Sequence, residues 1–253
     1  MDVFYTDLDH TLIYSYKHDI GKEKRSVEIY NGREVSFITE KTYRLLLEVK
    51  KRMCIVPVTT RTMEQYGRID LGIGKITYAL VCNGGVLLKD GQEDPAWYEQ
   101  SLQLVRESRD EMERAVWLLE QEKSRIFEVR YIKQLFVFTK CRFPQDAVRY
   151  LKHALHPSKT DVFSNGEKVY VVPKNLNKGM AAARFQQAVG VKKSAAAGDS
   201  AFDVPMLEQA DLAMAPAGYG QINTWSGASA SVYEMSGKHV FSEELLEFLL
   251  DNF

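Results

Sequence analysis

Cysteine is scarce in this sequence and follows no recognisable pattern. There are three cysteines, Cys54, Cys82 and Cys141, and no two of them form a CxxC pair. Disulfide frameworks and zinc sites need even numbers or closely spaced pairs, so neither is predicted. The simpler interpretation is three buried thiols in a reducing cytosol, and we therefore expect a cytoplasmic protein.

A surplus of charge of one sign is also missing. The formal net charge is −1, from 33 lysines and arginines against 34 acidic residues. Proteins that bind nucleic acid or an anionic membrane surface usually carry a basic excess, so neither partner is predicted. No apolar run approaches the ~18 residues of a membrane span, and no basic leader precedes the first strand, so no secretory signal is expected.

The sequence does contain short apolar runs that each end abruptly in polar residues. Runs of this kind indicate buried strands of a parallel sheet, and helical patterns separate them. The runs cover 3–6, 54–58, 78–82 and 194–197, with predicted helices at 39–52 and 178–189. This alternation predicts an α/β fold, a Rossmann-like doubly wound parallel sheet.

The middle of the chain follows a different pattern. Between 86 and 173 a long polar helical region (95–123) is followed by two strands, another helix and two more strands. Helix, strand, strand, repeated, predicts an antiparallel sheet with helices on one side. We therefore predict a core of 1–85 with 174–253 and an inserted α+β domain of 86–173. Before the insertion, Asn31-Gly32 predicts a small hairpin beside the first strand.

Asp7 and Asp9 follow the first apolar run directly. In open α/β sheets the ligand crevice lies at the carboxyl ends of the strands, which is where these two residues fall. One carboxylate there can attack phosphorus and form an aspartyl-phosphate, and the other can carry the proton of the leaving group. The plainer alternative is a turn that ends the strand, since Asp commonly begins turns.

Further polar residues fall at the same predicted edge. They are Thr59 after the second strand, Lys178 at a helix start, and Asp199 with Asp203 after a later strand. Taken singly they could be a helix cap, an exposed charge and a turn. Together, four carboxylates repel by about 4 kcal/mol per close pair at an effective dielectric of about 20, and one lysine cannot neutralise them. A divalent cation would, and oxygen-only ligands indicate Mg²⁺.

These motifs, in this order, resemble those of the haloacid dehalogenase (HAD) superfamily. The resemblance is carried by Asp7-Leu8-Asp9-His10-Thr11, Thr59, Lys178 and Gly198-Asp199-Ser200-Ala201-Phe202-Asp203. The insertion resembles a C2-type cap of the Cof and sucrose-phosphate phosphatase-like branch, which implies an αββαββ arrangement. Phe202 departs from that branch, which usually has Asn there, and His10 and Thr60 stand where Gly is commoner.

The resemblance implies a role for each matching residue. Asp7 would be the nucleophile and a metal ligand, and Asp9 the general acid/base whose backbone carbonyl also reaches the metal. Asp199 would complete the metal site, while Asp203 would bind the metal through water or orient Lys178. Thr59 would hydrogen-bond the phosphoryl group and Lys178 would stabilise its charge. The predicted metal ligands are therefore Asp7, Asp9, Asp199 and Asp203.

Substrate contacts are predicted for residues beside this edge and in the insertion. The first set is Thr59, Thr60, Arg61, Asn83 and Lys178. Arg125, Arg130 and Lys133 in the insertion are further candidates, although solvated charges are the simpler interpretation of each.

The expected activity is Mg²⁺-dependent hydrolysis of a small phosphorylated metabolite, such as a sugar phosphate, through an aspartyl-phosphate. A phosphomutase on the same scaffold is the alternative enzyme. A phosphate-binding module without turnover is a third hypothesis, because a fold does not fix a function.

Overall fold

The structure, a computed structural model, describes residues 1–223 and 232–253. These residues form two compact units. One, here called the core unit, comprises Met1–Asp94 and Lys178–Phe253, and the other, the inserted unit, comprises Pro95–Asn177. Each unit has its own cluster of buried apolar side chains.

The described residues contain strands and helices throughout. The strands are β1 (Asp2–Thr6), β2 (Tyr14–Ser15), β3 (Lys24–Tyr30), β4 (Arg33–Thr39), β5 (Cys54–Pro57), β6 (Tyr78–Val81), β7 (Val86–Lys89), β8 (Gln92–Glu93), β9 (Arg130–Ile132), β10 (Phe136–Lys140), β11 (Thr160–Asn165), β12 (Lys168–Pro173), β13 (Lys193–Ala197), β14 (Leu212–Ala215) and β15 (Val232–Glu234). The helices are α1 (Glu40–Arg52), α2 (Met63–Tyr66), α3 (Pro95–Leu104), α4 (Arg109–Glu120), α5 (Pro144–Ala154), α6 (Lys178–Val189), α7 (Val204–Leu207), α8 (Tyr219–Ile222) and α9 (Phe241–Asn252), with a 3₁₀ turn at Arg106–Ser108.

The core unit is built on a parallel sheet of five strands in the order β15-β14-β13-β1-β5. An isolated parallel bridge between Val58 and Leu80 continues this order towards β6. The chain therefore leaves β1 on one side and returns on the other, which makes the carboxyl end of β1 the topological switch point. The predicted doubly wound parallel sheet is confirmed.

Helices cover this sheet because their apolar faces need burial. Thr39 caps α1 by accepting a hydrogen bond from the backbone N of Thr42. Leu46 and Val49 of α1 are fully buried in the same apolar cluster as Leu245 of α9. The first strand contributes Phe4 to that cluster, so the strand that carries Asp7 is anchored in the centre of the core.

The predicted hairpin is present as β3 and β4, which form a three-stranded antiparallel sheet with β2. Its turn residues, Asn31 and Gly32, have φ angles of 51° and 73°. Such left-handed conformations favour Asn-Gly in two-residue hairpin turns. The pairing of β3 with β4 shifts register on both sides of Glu28, which marks an irregularity of the β-bulge kind.

The inserted unit has the predicted αββαββ pattern. Its antiparallel sheet has the order β11-β12-β10-β9, and α4 and α5 contribute Met112, Leu119 and Leu151 to its buried cluster. The predicted helical region, 95–123, contains two helices, α3 and α4, separated by the 3₁₀ turn. The break places Ser108 where its Oγ donates to the backbone O of Lys159, 2.9 Å away.

The observed units divide at Asp94/Pro95 and at Asn177/Lys178, whereas the sequence placed the boundaries at 85/86 and 173/174. The first difference arises because β7 pairs antiparallel with β6 and stays with the core unit. Val86 and Leu88 of β7 are buried, so this strand needs the core unit's apolar surface.

Among the described residues, no helix is both long and apolar enough to cross a membrane.

Candidate active site

Three strands of the central sheet bring polar residues to one edge. Asp7 follows β1 directly, and its backbone N donates to the carbonyl of Ala197 at the end of β13, 2.9 Å away. Because β1 and β13 are parallel and Thr6 pairs with Ala197, Asp199 comes to the same edge. On the other side of β1, Thr59 follows β5. The sequence prediction that these residues share an edge is consistent with this register.

Lys178, the first residue of α6, lies between two carboxylates. Its Nζ is 2.6 Å from Oδ1 of Asp7 and 2.6 Å from Oδ1 of Asp203. The lysine side chain is 1% exposed and that of Asp203 is fully buried. A buried ammonium needs such partners, since an unpaired charge in the interior is very costly.

Asp203 also closes the loop that follows β13. Its Oδ2 accepts hydrogen bonds from the backbone N of Asp199 (3.1 Å) and from the N and Oγ of Ser200 (both 2.9 Å). A Cβ at position 198 would lie 2.3 Å from the Cβ of Asp203, so only glycine fits there. Both oxygens of Asp203 are thus occupied, which favours the predicted role of orienting Lys178.

The carboxylates at this edge could hold a metal ion. Ligand oxygens of Asp7, Asp199 and Asp203 all lie within 4.8 Å of one another. The hydroxyl of Thr11 donates to Oδ1 of Asp199, 3.3 Å away, and helps to fix that side chain. A set of oxygens alone suits a hard cation such as Mg²⁺, so the residues present fit the predicted metal.

The charges at this edge change how strongly its groups hold protons. Burial raises the pKa of Asp7 well above its ordinary value; the charge of Lys178 opposes the rise, and Asp203, Asp199 and Asp9 add to it. Burial, and then the charge of Asp203, raises the pKa of Asp199 to about 7. Burial alone would lower the pKa of Lys178, but the charges of Asp203 and Asp7 raise it instead. Beyond the effect of burial, the carboxylates raise one another's pKa, and a divalent cation would offset this repulsion.

Asp9 points to a different partner. Its Oδ2 and Oδ1 accept from Nε and Nη2 of Arg61, at 2.8 and 2.7 Å. The Asp9 side chain is 44% exposed, in contrast to the buried Asp7. Asp9 is outside the cluster of metal-ligand oxygens found among the described residues, which concerns its side chain and not its backbone carbonyl. Arg61 is therefore the partner of Asp9, and its contact with a substrate stays a prediction.

The loops after β5 and β6 are joined through their backbones. The N of Asn83 donates to the carbonyl of Thr59 (2.9 Å), and the N of Cys82 donates to that of Arg61 (2.8 Å). The hydroxyl of Thr59 accepts from the backbone N of Arg61, 3.1 Å away. The cap of the following helix is Thr62 and not Thr59, which removes the helix-cap alternative for Thr59.

The remaining predicted substrate contacts lie apart in the chain. Thr60 is half-buried in the loop after β5. In the inserted unit, Arg125 donates from Nη1 to the carbonyl of Phe127 (3.0 Å), Arg130 lies over the Phe127 ring (4.8 Å), and Lys133 lies over a tyrosine ring (4.4 Å). All three cations therefore have partners within that unit.

Two groups of residues near the site were not predicted. Tyr219 donates from its hydroxyl to the carbonyl of Ser200, 2.6 Å away, and so supports the loop that holds Asp199. Glu28 and Arg68 lie on the far side of Arg61 from Asp9. The Asn-Gly signal located the hairpin that carries Glu28, but no sequence pattern indicates which of its side chains turns inward.

Comparison with known proteins concerns the family and the fold of this chain. A family model described as haloacid dehalogenase-like hydrolase matches residues 96–217, a stretch that contains Lys178, Asp199 and Asp203. The structure is also similar to the sucrose-phosphatase of Synechocystis, solved with sucrose and phosphate, with a TM-score of 0.66 at 15% identity over 98% of this chain and 96% of that one. The resemblance to the HAD-like hydrolases is confirmed.

Other solved structures of HAD proteins share the fold. A protein from Bacteroides thetaiotaomicron, described among phosphatases of the haloalkanoate (HAD) superfamily, gives a TM-score of 0.57 at 16% identity over 99% of this chain and 94% of that one. A haloacid dehalogenase-like hydrolase from B. subtilis gives 0.58 at 15% identity over 98% of this chain and all of that one. At these identities the likeness concerns the fold. No curated protein sequence gives a significant match.

Proposed function

We propose that this HAD-like protein is a Mg²⁺-dependent phosphatase that hydrolyses a small phosphomonoester through an aspartyl-phosphate. The observation that carries the proposal is the position of Asp7, at the carboxyl end of the central strand with Lys178 2.6 Å away. A carboxylate nucleophile needs a cation beside it, because the attacked phosphoryl group is itself negatively charged.

Asp7 and Asp9 divide the work in this reaction. With Asp9 in its protonated form, a carboxylate oxygen of Asp7 attacks phosphorus, the bond to the leaving oxygen breaks, and the Asp9 proton passes to that oxygen. Asp9 then takes a proton from the water that hydrolyses the aspartyl-phosphate. The exposed Asp9 and the buried Asp7 suit these roles, since the proton carrier must reach the leaving group and water.

The remaining residues hold charge and position. Lys178 neutralises the transferring phosphoryl group, and Asp203 keeps Lys178 in place. Asp7 and Asp199, with Asp203 behind them, would hold Mg²⁺, which supplies positive charge to the phosphoryl oxygens. Thr59 and Asn83, on the joined loops beside β1, would contact the phosphoryl group and the leaving group.

A sugar phosphate is the substrate class that the comparisons favour. The Synechocystis protein was solved with sucrose and phosphate, and another similar structure is a trehalose-6-phosphate phosphatase related protein. A phosphomutase would use the same residues but return the phosphoryl group to a second hydroxyl. The module without turnover is less well supported, because a binding site does not need a nucleophile placed beside a fixed ammonium.

The test is phosphate release from a panel of sugar phosphates and other small phosphomonoesters, with Mg²⁺ and with a chelator. A phosphatase releases phosphate only with the metal and needs no bisphosphate activator, whereas a mutase depends on the activator and converts one isomer into another. Release that is equal with Mg²⁺ and with chelator would contradict the metal-dependent mechanism. No release from any compound in the panel would contradict the phosphatase itself.

A further inference from the structure

Glu28 is a buried carboxylate next to the solvent-exposed tip of the β3–β4 hairpin, residues 29–34. It lies on β3 where the pairing with β4 shifts register, and it makes an isolated antiparallel bridge with Ile69. Only 4% of Glu28 is exposed, although the next residue, Ile29, is 62% exposed. Irregularities of this kind re-aim a side chain, and they are over-represented beside active sites.

The inward-turned carboxylate of Glu28 meets the far end of the Arg61 guanidinium. Nη1 of Arg61 is 3.0 Å from Oε1 of Glu28, while Nε and Nη2 bind the two oxygens of Asp9. The planar guanidinium of Arg61 is thus held on one side by Asp9 and on the other by Glu28. A guanidinium is rigid, so fixing one nitrogen also fixes the direction of the other two.

Glu28 is itself firmly held and ionised. Arg68 donates from Nε to Oε1 (3.1 Å), and Ser36 donates from Oγ to Oε2 (2.7 Å). Burial would raise the pKa of Glu28, but hydrogen bonds from Arg61 and Ser36 outweigh it, so the pKa lies below its ordinary value. A charged, fully hydrogen-bonded carboxylate is a rigid support for a neighbouring cation.

We propose that Glu28 is a positioning residue that fixes Arg61 and, through Arg61, the direction of the Asp9 carboxylate. This inference rests on the proposed phosphatase activity and adds a residue to it. If the Asp9 carboxyl group points in another direction, its proton reaches the leaving oxygen more slowly. The bond between phosphorus and that oxygen then breaks more slowly as well. Attack by Asp7 and its pairing with Lys178 are unaffected, because Glu28 contacts neither.

The experiment compares two leaving groups in Glu28→Gln and the wild type. One substrate is the best alkyl phosphate from the panel, whose alkoxide needs a proton, and the other is p-nitrophenyl phosphate, whose phenolate leaves without one. General acid catalysis contributes roughly 10²–10⁴-fold, so partial misdirection should lower kcat/KM for the alkyl phosphate by about 10-fold or more. For p-nitrophenyl phosphate we expect kcat/KM to fall by less than about 3-fold. The value of kcat/KM reports the steps up to formation of the aspartyl-phosphate, and with this substrate those steps need no proton from Asp9.

Glu40→Gln is the matched control. Glu40 forms a two-nitrogen ion pair with Arg25 of the same hairpin, at 3.0 and 2.8 Å, and is more exposed than Glu28. The substitution removes the same charge as Glu28→Gln, but from an ion pair whose arginine, Arg25, does not contact Asp9. Both substrates should be cleaved by this variant at wild-type rates.

Equal losses for the two substrates in Glu28→Gln would show a general structural effect and overturn the inference. If that variant does not fold, Glu28→Asp keeps the charge but places it one methylene short of Arg61, and the same selective loss is expected on a smaller scale. Equal losses in Glu28→Asp, or none, would again overturn it. A wild type that cleaves neither substrate would instead remove the proposed function on which the inference depends.

Discussion

The ammonium of Lys178 lies 2.6 Å from the carboxylate of Asp7, although the two residues are 171 positions apart in the chain. The contact joins the residue that follows β1 to the first residue of α6. In the sequence, the whole inserted unit lies between these two residues. It holds a cation against the residue proposed to attack phosphorus. The predictions below test what this pairing and its neighbours do.

Asp7→Asn should abolish steady-state phosphate release while leaving the fold intact. The amide is nearly isosteric with the carboxylate and can still accept from Lys178, but it cannot attack phosphorus. Phosphate release and thermal unfolding are measured on the same preparations. The control is Asp90→Asn, which changes an exposed aspartate paired with Lys75 and should retain full activity. Turnover in Asp7→Asn above a mock preparation would remove Asp7 from the nucleophile role.

Mg²⁺ should stabilise the folded protein, because it relieves repulsion among Asp7, Asp199 and Asp203. At 100 times its dissociation constant a ligand adds roughly 2.7 kcal/mol to the free energy of unfolding. Thermal midpoints are compared with Mg²⁺ and with chelator, for the wild type and for Asp199→Asn. We expect the shift in the wild type and a much smaller one in the variant. Midpoints that do not move in either protein speak against a metal site.

The metal-free protein should lose stability as pH rises towards 7. The pKa of Asp199 is raised from 3.8 to about 7 on folding, so between these values the folded state binds a proton that the unfolded chain has released. Stability from this group is therefore complete below pH ~4 and declines up to about pH 7, by at most about 1.4 kcal/mol per pH unit.

This pH dependence is measured by urea unfolding in chelator, as the difference between wild type and Asp199→Asn. The difference should fall between pH 5 and 7 and level off above. Because the same proton competes with the metal, the affinity for Mg²⁺ should rise over that range. A difference that grows with pH would contradict the raised pKa.

Gly198→Ala should be strongly destabilising. The added Cβ would lie 2.3 Å from the Cβ of Asp203 and 2.8 Å from its Oδ2, so the loop that holds Asp199 must move. Overpacking typically costs roughly 1–3 kcal/mol, and here activity should fall with it. Gly67→Ala is the control, because its Cβ would come no nearer than 3.3 Å to other atoms and its φ is −62°. Equal stability of the two variants would show that the loop is not tightly packed.

A core unit made of 1–94 and 178–253, joined by a short Gly/Ser linker, should fold and cleave a small aryl phosphate with little selectivity. A version cut at 85 and 174 should be less stable, because it loses the buried Val86 and Leu88 of β7. Circular dichroism and thermal unfolding compare the two. If the shorter version is the more stable one, the strand β7 does not belong to the core unit.

Much of the site could be predicted from the sequence because it lies at strand ends. Asp7 and Asp199 each follow an apolar run, and the parallel order of β1 and β13 brings them together. Asn31-Gly32 located the hairpin for a similar local reason, since few other pairs suit its turn.

Features that depend on tertiary contacts could not be predicted. The division of the helical region at 105–108 follows from where Ser108 meets the backbone of Lys159. The inward turn of Glu28 arises from a register shift, and the periodicity of β3 carries no sign of it. Arg61 was predicted as a substrate contact from its position after Thr59, and no sequence pattern indicated its two carboxylate partners, Asp9 and Glu28.

The central position of β1 has a consequence for synthesis of the chain. The strand that precedes Asp7 is made before both of its neighbours, and one of them, β13, ends only at residue 197. During translation β1 can pair with β5. Its other edge stays unpaired until β13 has been made, and the inserted unit, which has its own core, is made in between. We expect this unpaired edge of β1 to be the site at which nascent or truncated chains aggregate.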